Sequence, residues 1–499
     1  MAFEAVSAED HTNRTKARER AAALLKMPAD AIEDDLLDFV IATNGDALLR
    51  ARAGSGKTTA LGIKVAYLTL DLGVAPSSIM MLTFNNAAAR GLEKKLAEFG
   101  VPEGVRVRTF HALGQRIVRA HFGNRRRPVF DEKSEDAKAI GKMLEEALDE
   151  VVNEKFYFFC ASRMRTKYEA RRDYVESVGR DALLSAVNFL RARGYGLQNP
   201  YRNAWEEGGA IAGNAMKVIL AFEGKLKDAR LLDSTGVLQA ASWTLEREIE
   251  TGVSRPSDAH DVDYIFVDEY QDVSLPYMRL VSAIRRINGM VNVQGVGDSW
   301  QGINGFAGAD IRYFTAPDEH LEDPKLLNLL RNRRSGSEIV QWGNRVMELA
   351  GDSVSPAIPD PRNGSGVINK VHISASRDLK LASKKLADLV DRDLKSVALI
   401  ARKWKVGDYG LLQFKDNVAA ILRNMGYRGE IVAMSAHGSK GLEWDQVLLL
   451  DDGSFPLDHP SRPILRDLIP EEEYLREEAC LEHVAGTRAK RRLDVVVMK

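Results

Sequence analysis

The run Ala53-Gly54-Ser55-Gly56-Lys57-Thr58-Thr59, set just after the apolar stretch Ala47–Ala51, constrains this chain more than any other feature. Glycines alternating with a serine suit a loop whose backbone N–H groups converge on phosphate oxygens, because glycine tolerates the turns such a nest requires. A helix opening at Lys57 adds the positive end of its dipole at the same place. Lys57 can then reach the outer phosphates of a nucleotide, and the Thr58 hydroxyl can hold Mg2+. The strict pattern asks for a further glycine at the position of Ala51, so the chain carries only the shorter form AGSGKTT. The competing reading is a plain glycine turn at a helix start. An apolar strand before the loop and helical spacing after it favour the phosphate loop.

A second segment supplies the acidic partner that a nucleotide-Mg site needs. Val262–Asp272 reads VDYIFVDEYQD, an apolar strand ending in Asp268-Glu269. At the carboxyl edge of a parallel sheet, beside the phosphate loop, Asp268 can ligate Mg2+ and Glu269 can orient and deprotonate a water. Two carboxylates at a strand end could equally be a solvated turn; the phosphate loop tips the balance.

Short apolar runs followed by helical spacing recur along the chain in the alternation that a parallel α/β sheet requires. Strands are expected at Ala47–Ala51, Ser78–Thr83, Val105–Thr109, Tyr264–Asp268 and Val291–Gly295, and a helix at Ala87–Phe99. From about Asp131 to Leu232 strand signals thin and helical spacing dominates (Ala139, Met143, Leu144, Ala147, Leu148, Val151). A second set of strands is expected at Gly366–Ile373, Ser396–Ala401, Glu430–Ser435, Val447–Leu450 and Leu493–Val497, after a linker near Ala307–Glu322. The expected organisation is a first α/β domain made of 1–130 and 233–316, a helical insertion over 131–232 within it, and a second α/β domain over 317–499. A chain of 499 residues is long enough for about three such units.

Lys and Arg number 70 against 71 Asp and Glu, a net charge of −1, which excludes a tail-driven polycationic binder but leaves room for a locally basic groove. The two cysteines, Cys160 and Cys480, form no disulfide framework or zinc motif, and His437 and His483 have no partners at metal-ligand spacing. With no signal pattern and no run of about 18 apolar residues, a cytoplasmic protein without membrane contact is expected. Basic runs at Arg125–Arg127 and Arg163–Arg172 suit either phosphate contact or an exposed helix face.

DEYQD together with AGSGKTT resembles the UvrD/Rep/PcrA-like helicases of superfamily 1. Further segments resemble that family's motifs in order: Leu82–Ala88 (LTFNNAA), Thr109-Phe110-His111, Gly297–Ala309 (GDSWQGINGFAGA), Asn332–Ser335 (NRRS), His437–Trp444 (HGSKGLEW) and Val484–Lys490 (VAGTRAK). They run from about residue 47 to 493, nearly the whole chain. The resemblance implies two RecA-like P-loop NTPase domains, with ATP and Mg2+ between them and DNA across both. In its terms Ala53, Gly54, Ser55, Gly56, Lys57, Thr58 and Thr59 hold the phosphates, and Thr58 and Asp268 the metal. Glu269 is the base, Gln271 and Gln301 sense the terminal phosphate, and Arg334 and Arg488 are arginine fingers. Glu443 contacts the ribose, while Phe84, Asn85, Thr109, Phe110, His111, Phe306 and His437 touch DNA. Movement along single-stranded DNA, or DNA with a single-stranded tail, would run 3′ to 5′.

The sequence departs from that family in places. No glutamine stands in Ala31–Phe39 to read adenine, and Arg333 replaces the tyrosine expected to stack on it, so selectivity for adenine does not follow. Asn304 and Ala307 replace a tyrosine and an arginine, and Ala479-Cys480 a paired arginine. Larger members carry a second helical insertion before the HGSKGLEW segment; the 102 residues from Ser335 to His437 suffice for the α/β domain and little more, so that insertion is not expected here, nor is an appended domain after VAGTRAK. That compactness motivates an alternative expectation: a nucleotide-gated ATPase subunit of a larger nuclease, repair, replication or defence assembly, with little unwinding of its own.

Overall fold

The computed structural model describes residues 8–129, 131, 133–164, 171–196, 204–253, 255–373 and 378–498. Within them are two parallel sheets, each covered by helices on both faces. The first contains β1 (Ala47–Ala51), β2 (Ile79–Thr83), β3 (Arg106–Thr109), β4 (Tyr264–Asp268), β5 (Asn292–Gly297) and β6 (Lys325–Leu329), in the order β3-β2-β4-β5-β1-β6. Every pairing in it is parallel.

The period-two alternation of strand side chains explains how this sheet is held. Leu48, Met80, Leu82, Ile265 and Val267 point into one apolar core, and Leu49, Met81, Tyr264, Phe266 and Val296 into the core on the other face. All five residues of β2 and of β4 are buried, which is why these strands read as unbroken apolar runs rather than alternating ones. α1 (Lys57–Ala66), α2 (Asn86–Glu98) and α3 (Phe110–Phe122) follow β1, β2 and β3 directly.

Between α3 and β4 the chain is helical: Glu135–Asp149, Glu154–Arg163, Arg172–Ala192 (α4), Ala204–Ala229 and Ser234–Thr251. The first four enclose their own core, which also takes Ile464 and Leu468 from far along the chain. The last, Ser234–Thr251, instead sends Val237, Leu238 and Leu245 into the first-sheet core. The run Arg163–Arg172 lies partly outside the described residues; of its two ends, Arg172 pairs with Glu154 and Glu176 on an exposed surface.

The second sheet has β7 (Val367–Ile373), β8 (Ser396–Ala401), β9 (Glu430–Ser435), β10 (Trp444–Asp451) and β11 (Ala489–Met498) in the order β7-β11-β10-β8-β9, again all parallel. Val397, Leu399, Leu448 and Leu450 face one core, and Ala398, Ile400, Val447 and Leu449 the other. Between β10 and β11 runs α5 (Glu471–Gly486).

One boundary differs from the expected one. β6 lies beyond residue 316 yet pairs with β1 from Ala47↔Lys325 to Ala51↔Leu329, so the first sheet continues past the linker expected at Ala307–Glu322. β6 is an edge strand with three of its five residues exposed, and Lys-Leu-Leu-Asn-Leu carries no alternation to mark it. No described helix is long and apolar enough to cross a membrane.

Candidate nucleotide and nucleic-acid site

β1, β4 and β5 place three chemically loaded turns at one carboxyl edge. After β1 the loop turns at Gly54 and Gly56, with φ of 72° and 97°. A Cβ on Gly54 would lie 2.7 Å from Asn332 Oδ1 and from Arg334 Cβ, so only glycine admits the NRRS segment this close. That segment is tied down: the Arg333 N–H donates to Gly54 O at 2.9 Å and its guanidinium to Ser55 O at 3.0 Å. Ser55 and Ala53 are buried within the loop, and Thr58 and Thr59 stand in the first turn of α1.

β4 ends at Asp268, and Glu269 follows in a left-handed backbone conformation (φ 55°) uncommon for a side-chain-bearing residue. Such strain persists where the surroundings fix it and clusters at functional sites. Lys57 Nζ stands 3.1 Å from Glu269 Oε2, so the phosphate-loop lysine and the strand-end carboxylate meet. Burial and the adjacent Glu269 charge push Asp268 up. Burial opposes ionisation of Glu269 as well, but Lys57 and Lys440 outweigh it and hold Glu269 down. Buried Asp268 and part-exposed Glu269, with one lysine beside them and the Thr58 hydroxyl in the first turn of α1, offer the hard oxygen ligands that Mg2+ prefers.

From Glu269 a line of hydrogen bonds leaves the first sheet. Gln271 Nε2 donates to Glu269 Oε2 at 2.6 Å, and Gln271 Oε1 accepts from the Asp298 N–H at 2.8 Å. Gln301 Nε2 donates to Asp298 Oδ2 at 2.6 Å, and Arg488, on the second half of the chain, donates to Gln301 Oε1 at 3.2 Å. Arg488 is buried, which lowers its pKa to about 9; the guanidinium nevertheless stays charged near neutrality. Beside it Arg334 donates to Glu443 Oε2 at 2.7 Å, and Lys490 pairs with Glu443 Oε1 at 2.7 Å. Arg334 Nη1 is buried with no hydrogen-bond partner among the described residues, a cationic donor that an anionic phosphate would satisfy.

The expected nucleic-acid residues fall in two places. Phe84, Asn85, Thr109 and His111 line one cavity of about 760 Å³ between the first sheet and the helical insertion. Phe306 and His437 line another, of about 460 Å³, with Arg402 and Phe189. Phe306 is 55% exposed, its ring edge-on to His437 with centroids 5.4 Å apart. Burial and Arg402 push His437 down to about 4, so it is neutral at neutral pH. Asn85 and Thr109 also cap α2 and α3, accepting from Ala88 and Ala112 N–H groups.

Phe110 requires correction. It is 0% exposed and packs its ring 4.7 Å from Tyr277, inside the first core. An aromatic opening a helix just after an apolar strand fills the core here, and no face of it is free to stack on a base. Glu443, expected at a ribose, pairs with two cations, Arg334 and Lys490.

Several site residues escaped the sequence reading. Arg52 is buried against Asp298 at 2.8 Å with its guanidinium 3.6 Å from the Trp300 ring centre. Burial alone would raise Asp298, yet Arg52 and Lys57 hold it down at about 2. Lys440 bridges Asp272 Oδ2 at 2.5 Å and Gln301 O at 3.0 Å; its place within HGSKGLEW was the available signal. Arg52 offered none, because nothing in sequence joins it to position 298.

Two parallel sheets of RecA-like type, with a phosphate loop, a strand-end carboxylate pair and cations arriving from the second sheet, define a two-domain P-loop NTPase fold. Residues 33–322 match the UvrD/REP helicase N-terminal domain, and residues 412–499 the UvrD-like helicase C-terminal domain. The chain belongs to the UvrD/REP helicase family. It is 24% identical over 478 residues to DNA helicase IV of Escherichia coli K12, covering 89% of this chain and 65% of that protein. It is also 25% identical over 346 residues to the ATP-dependent DNA helicase PcrA of Staphylococcus epidermidis RP62A, covering 68% of this chain and 43% of that protein. PcrA of Bacillus subtilis 168 is 26% identical over 318 residues, covering 62% of this chain and 38% of that protein. The chain thus spans less than two thirds of the length of these relatives.

Proposed function

We propose that this chain is an ATP-dependent DNA helicase motor that hydrolyses ATP-Mg between its two sheets and moves 3′ to 5′ along single-stranded DNA. The observation that carries the reading is the unbroken relay Lys57–Glu269–Gln271–Asp298–Gln301–Arg488, which joins the phosphate loop to a cation of the other half. Membership of the family and the printed activities of its relatives support it.

In this reading the loop amides, Lys57 and the dipole of α1 bind the phosphates, and Thr58 and Asp268 hold the metal. Bound Mg2+ would neutralise phosphate charge. Glu269 takes a proton from a water placed in line, a role that needs its carboxylate ionised, as Lys57 and Lys440 keep it. Arg334 and Arg488 offer guanidinium groups to the charge that develops on the transferring phosphoryl, so turnover requires the second half to be seated against the first. Gln271 and Gln301 make that seating depend on what lies at Glu269. Phe84, His111, Phe306 and His437 give a single strand aromatic faces, worth about 1–3 kcal/mol per stacked base irrespective of sequence. Alternate closing and opening of the cleft then steps the strand.

The test is ATP hydrolysis by the purified chain with and without single-stranded DNA, beside Lys57→Ala. We expect stimulation by DNA, and a drop of ~10²-fold or more in the variant with its fold intact by circular dichroism. Hydrolysis that is absent, or indifferent to DNA, refutes an autonomous motor and turns attention to the partner-dependent subunit.

A further inference from the structure

The turn that carries Phe306 is gripped from two sides. Gly308 abuts α4 of the helical insertion: a Cβ there would fall 1.9 Å from the Cβ of Ala192. On the opposite side stands Glu477 of α5. Its Oε1 accepts the Gly305 N–H at 3.0 Å, and the Phe306 backbone supplies a second hydrogen bond. A Cβ on Gly305 would meet Glu477 Oε2 at 2.6 Å, so the carboxylate lies where any other residue would put its side chain. Between these grips Phe306 is 55% exposed on the cavity that Glu477 also lines.

Glu477 belongs to the helix that delivers Arg488. α5 ends at Gly486, and two residues on Arg488 donates to Gln301, at the start of the same segment that carries Gly305 and Phe306. Segment and helix are therefore fastened at two points, Glu477 to Gly305 and Arg488 to Gln301. The helix between is further braced by Glu478, which takes both Arg402 Nε at 3.0 Å and Arg402 Nη2 at 2.6 Å. A helix of this length moves as a rigid rod, with residues 477 and 486 about 14 Å apart along it, and Arg488 follows two residues past its end.

We propose that Glu477 is a positioning residue that couples occupancy of the Phe306 cavity by a nucleic-acid strand to the placement of Arg488 at the nucleotide. The inference rests on the motor reading above. A strand that displaces Phe306 moves the Gly305 and Phe306 amides; Glu477 follows them, and α5 carries the shift to Arg488. If Glu477 only satisfied two amides, its loss would weaken the fold without separating DNA binding from turnover.

The experiment compares the full chain with Glu477→Ala and Glu477→Gln. Hydrolysis is measured with and without oligo(dT), oligo(dT) affinity by fluorescence anisotropy, and folding by thermal melting. In Glu477→Ala the ratio of DNA-stimulated to DNA-free turnover is expected to fall about tenfold, the loss expected when backbone donors are left without their acceptor, while oligo(dT) affinity changes by less than about threefold. Glu477→Gln keeps a carbonyl oxygen for the Gly305 N–H and is expected to recover most of the ratio; should Glu477→Ala melt early, Glu477→Asp, one methylene too short for the Gly305 N–H, replaces it with the same expected loss. A wild-type ratio in both variants overturns the coupling and leaves the motor reading standing, as does a ratio that falls only in step with affinity. A wild-type chain that DNA does not stimulate overturns both.

Discussion

At the scale of single residues, the site turns on which carboxylate keeps its charge. Asp268 and Glu269 are adjacent, yet burial and its neighbour disfavour the ionised form of the first, while Lys57 at 3.1 Å and Lys440 favour that of the second. Removing the Glu269 charge should therefore damage the proton-accepting step more than the grip on phosphates, which comes from loop amides and Lys57. Glu269→Gln is expected to bind a fluorescent ATP analogue with near-normal affinity while turnover falls ~10²–10³-fold. Loss of analogue binding in that variant would remove the base role. The pairing was partly legible in sequence: AGSGKTT and DEYQD announce themselves by residue type and by the strand before each. Arg52 with Asp298 did not, because a contact across 246 positions leaves no local mark. Phe110 failed for a related reason, since an aromatic after a strand has the same sequence signature whether it points into a core or out of it.

At the scale of elements, strands covered on both faces read clearly, though partial exposure did not hide β9, which also falls on its expected Glu430–Ser435. β4 and β8 fall on their expected residues, Tyr264–Asp268 and Ser396–Ala401, as burial on both sides demands a continuous apolar run. β6 lacks that demand and was missed. The segment around Ile464 was also unreadable, because its partner is the insertion some 250 residues earlier; Ile464 is 0% exposed within the insertion core. This docking gives an element-scale prediction. Ile464→Ala should cost about 2–4 kcal/mol by leaving a cavity, read as a lower denaturation midpoint, and should speed proteolytic cleavage between residues 452 and 470. Unchanged stability would show that the segment rests on the insertion without holding it.

At the scale of the whole molecule, a net charge of −1 conceals strong local imbalance. Glu482 is an example: burial and the nearby Asp451 push it up to about 7, far above an unfolded glutamate. An acid whose folded pKa is raised favours the native state below its unfolded pKa, near 4.5, and loses that contribution as pH rises through 7. Asp298, held at about 2, works the opposite way: its contribution is present above the unfolded value near 3.8 and fades only as pH falls toward 2. Melting temperature should therefore decline from about pH 5 to pH 8. Glu482→Gln should raise it at pH 8 and leave it nearly unchanged at pH 5; an equal effect at both would assign the decline to other groups.

The edge strand β6 has a mechanical meaning as well. Three residues past its end at Leu329 the NRRS segment begins, and beyond that the chain enters the second half, so a pull between the halves arrives at β6. Parallel pairing from Ala47↔Lys325 to Ala51↔Leu329 means that five backbone positions share a load applied along the strand, rather than parting one at a time as in a zipper. The strand that shares this load is β1, whose next residues are the phosphate loop. Tension on the crossing chain is thus felt first by the element that aims the loop.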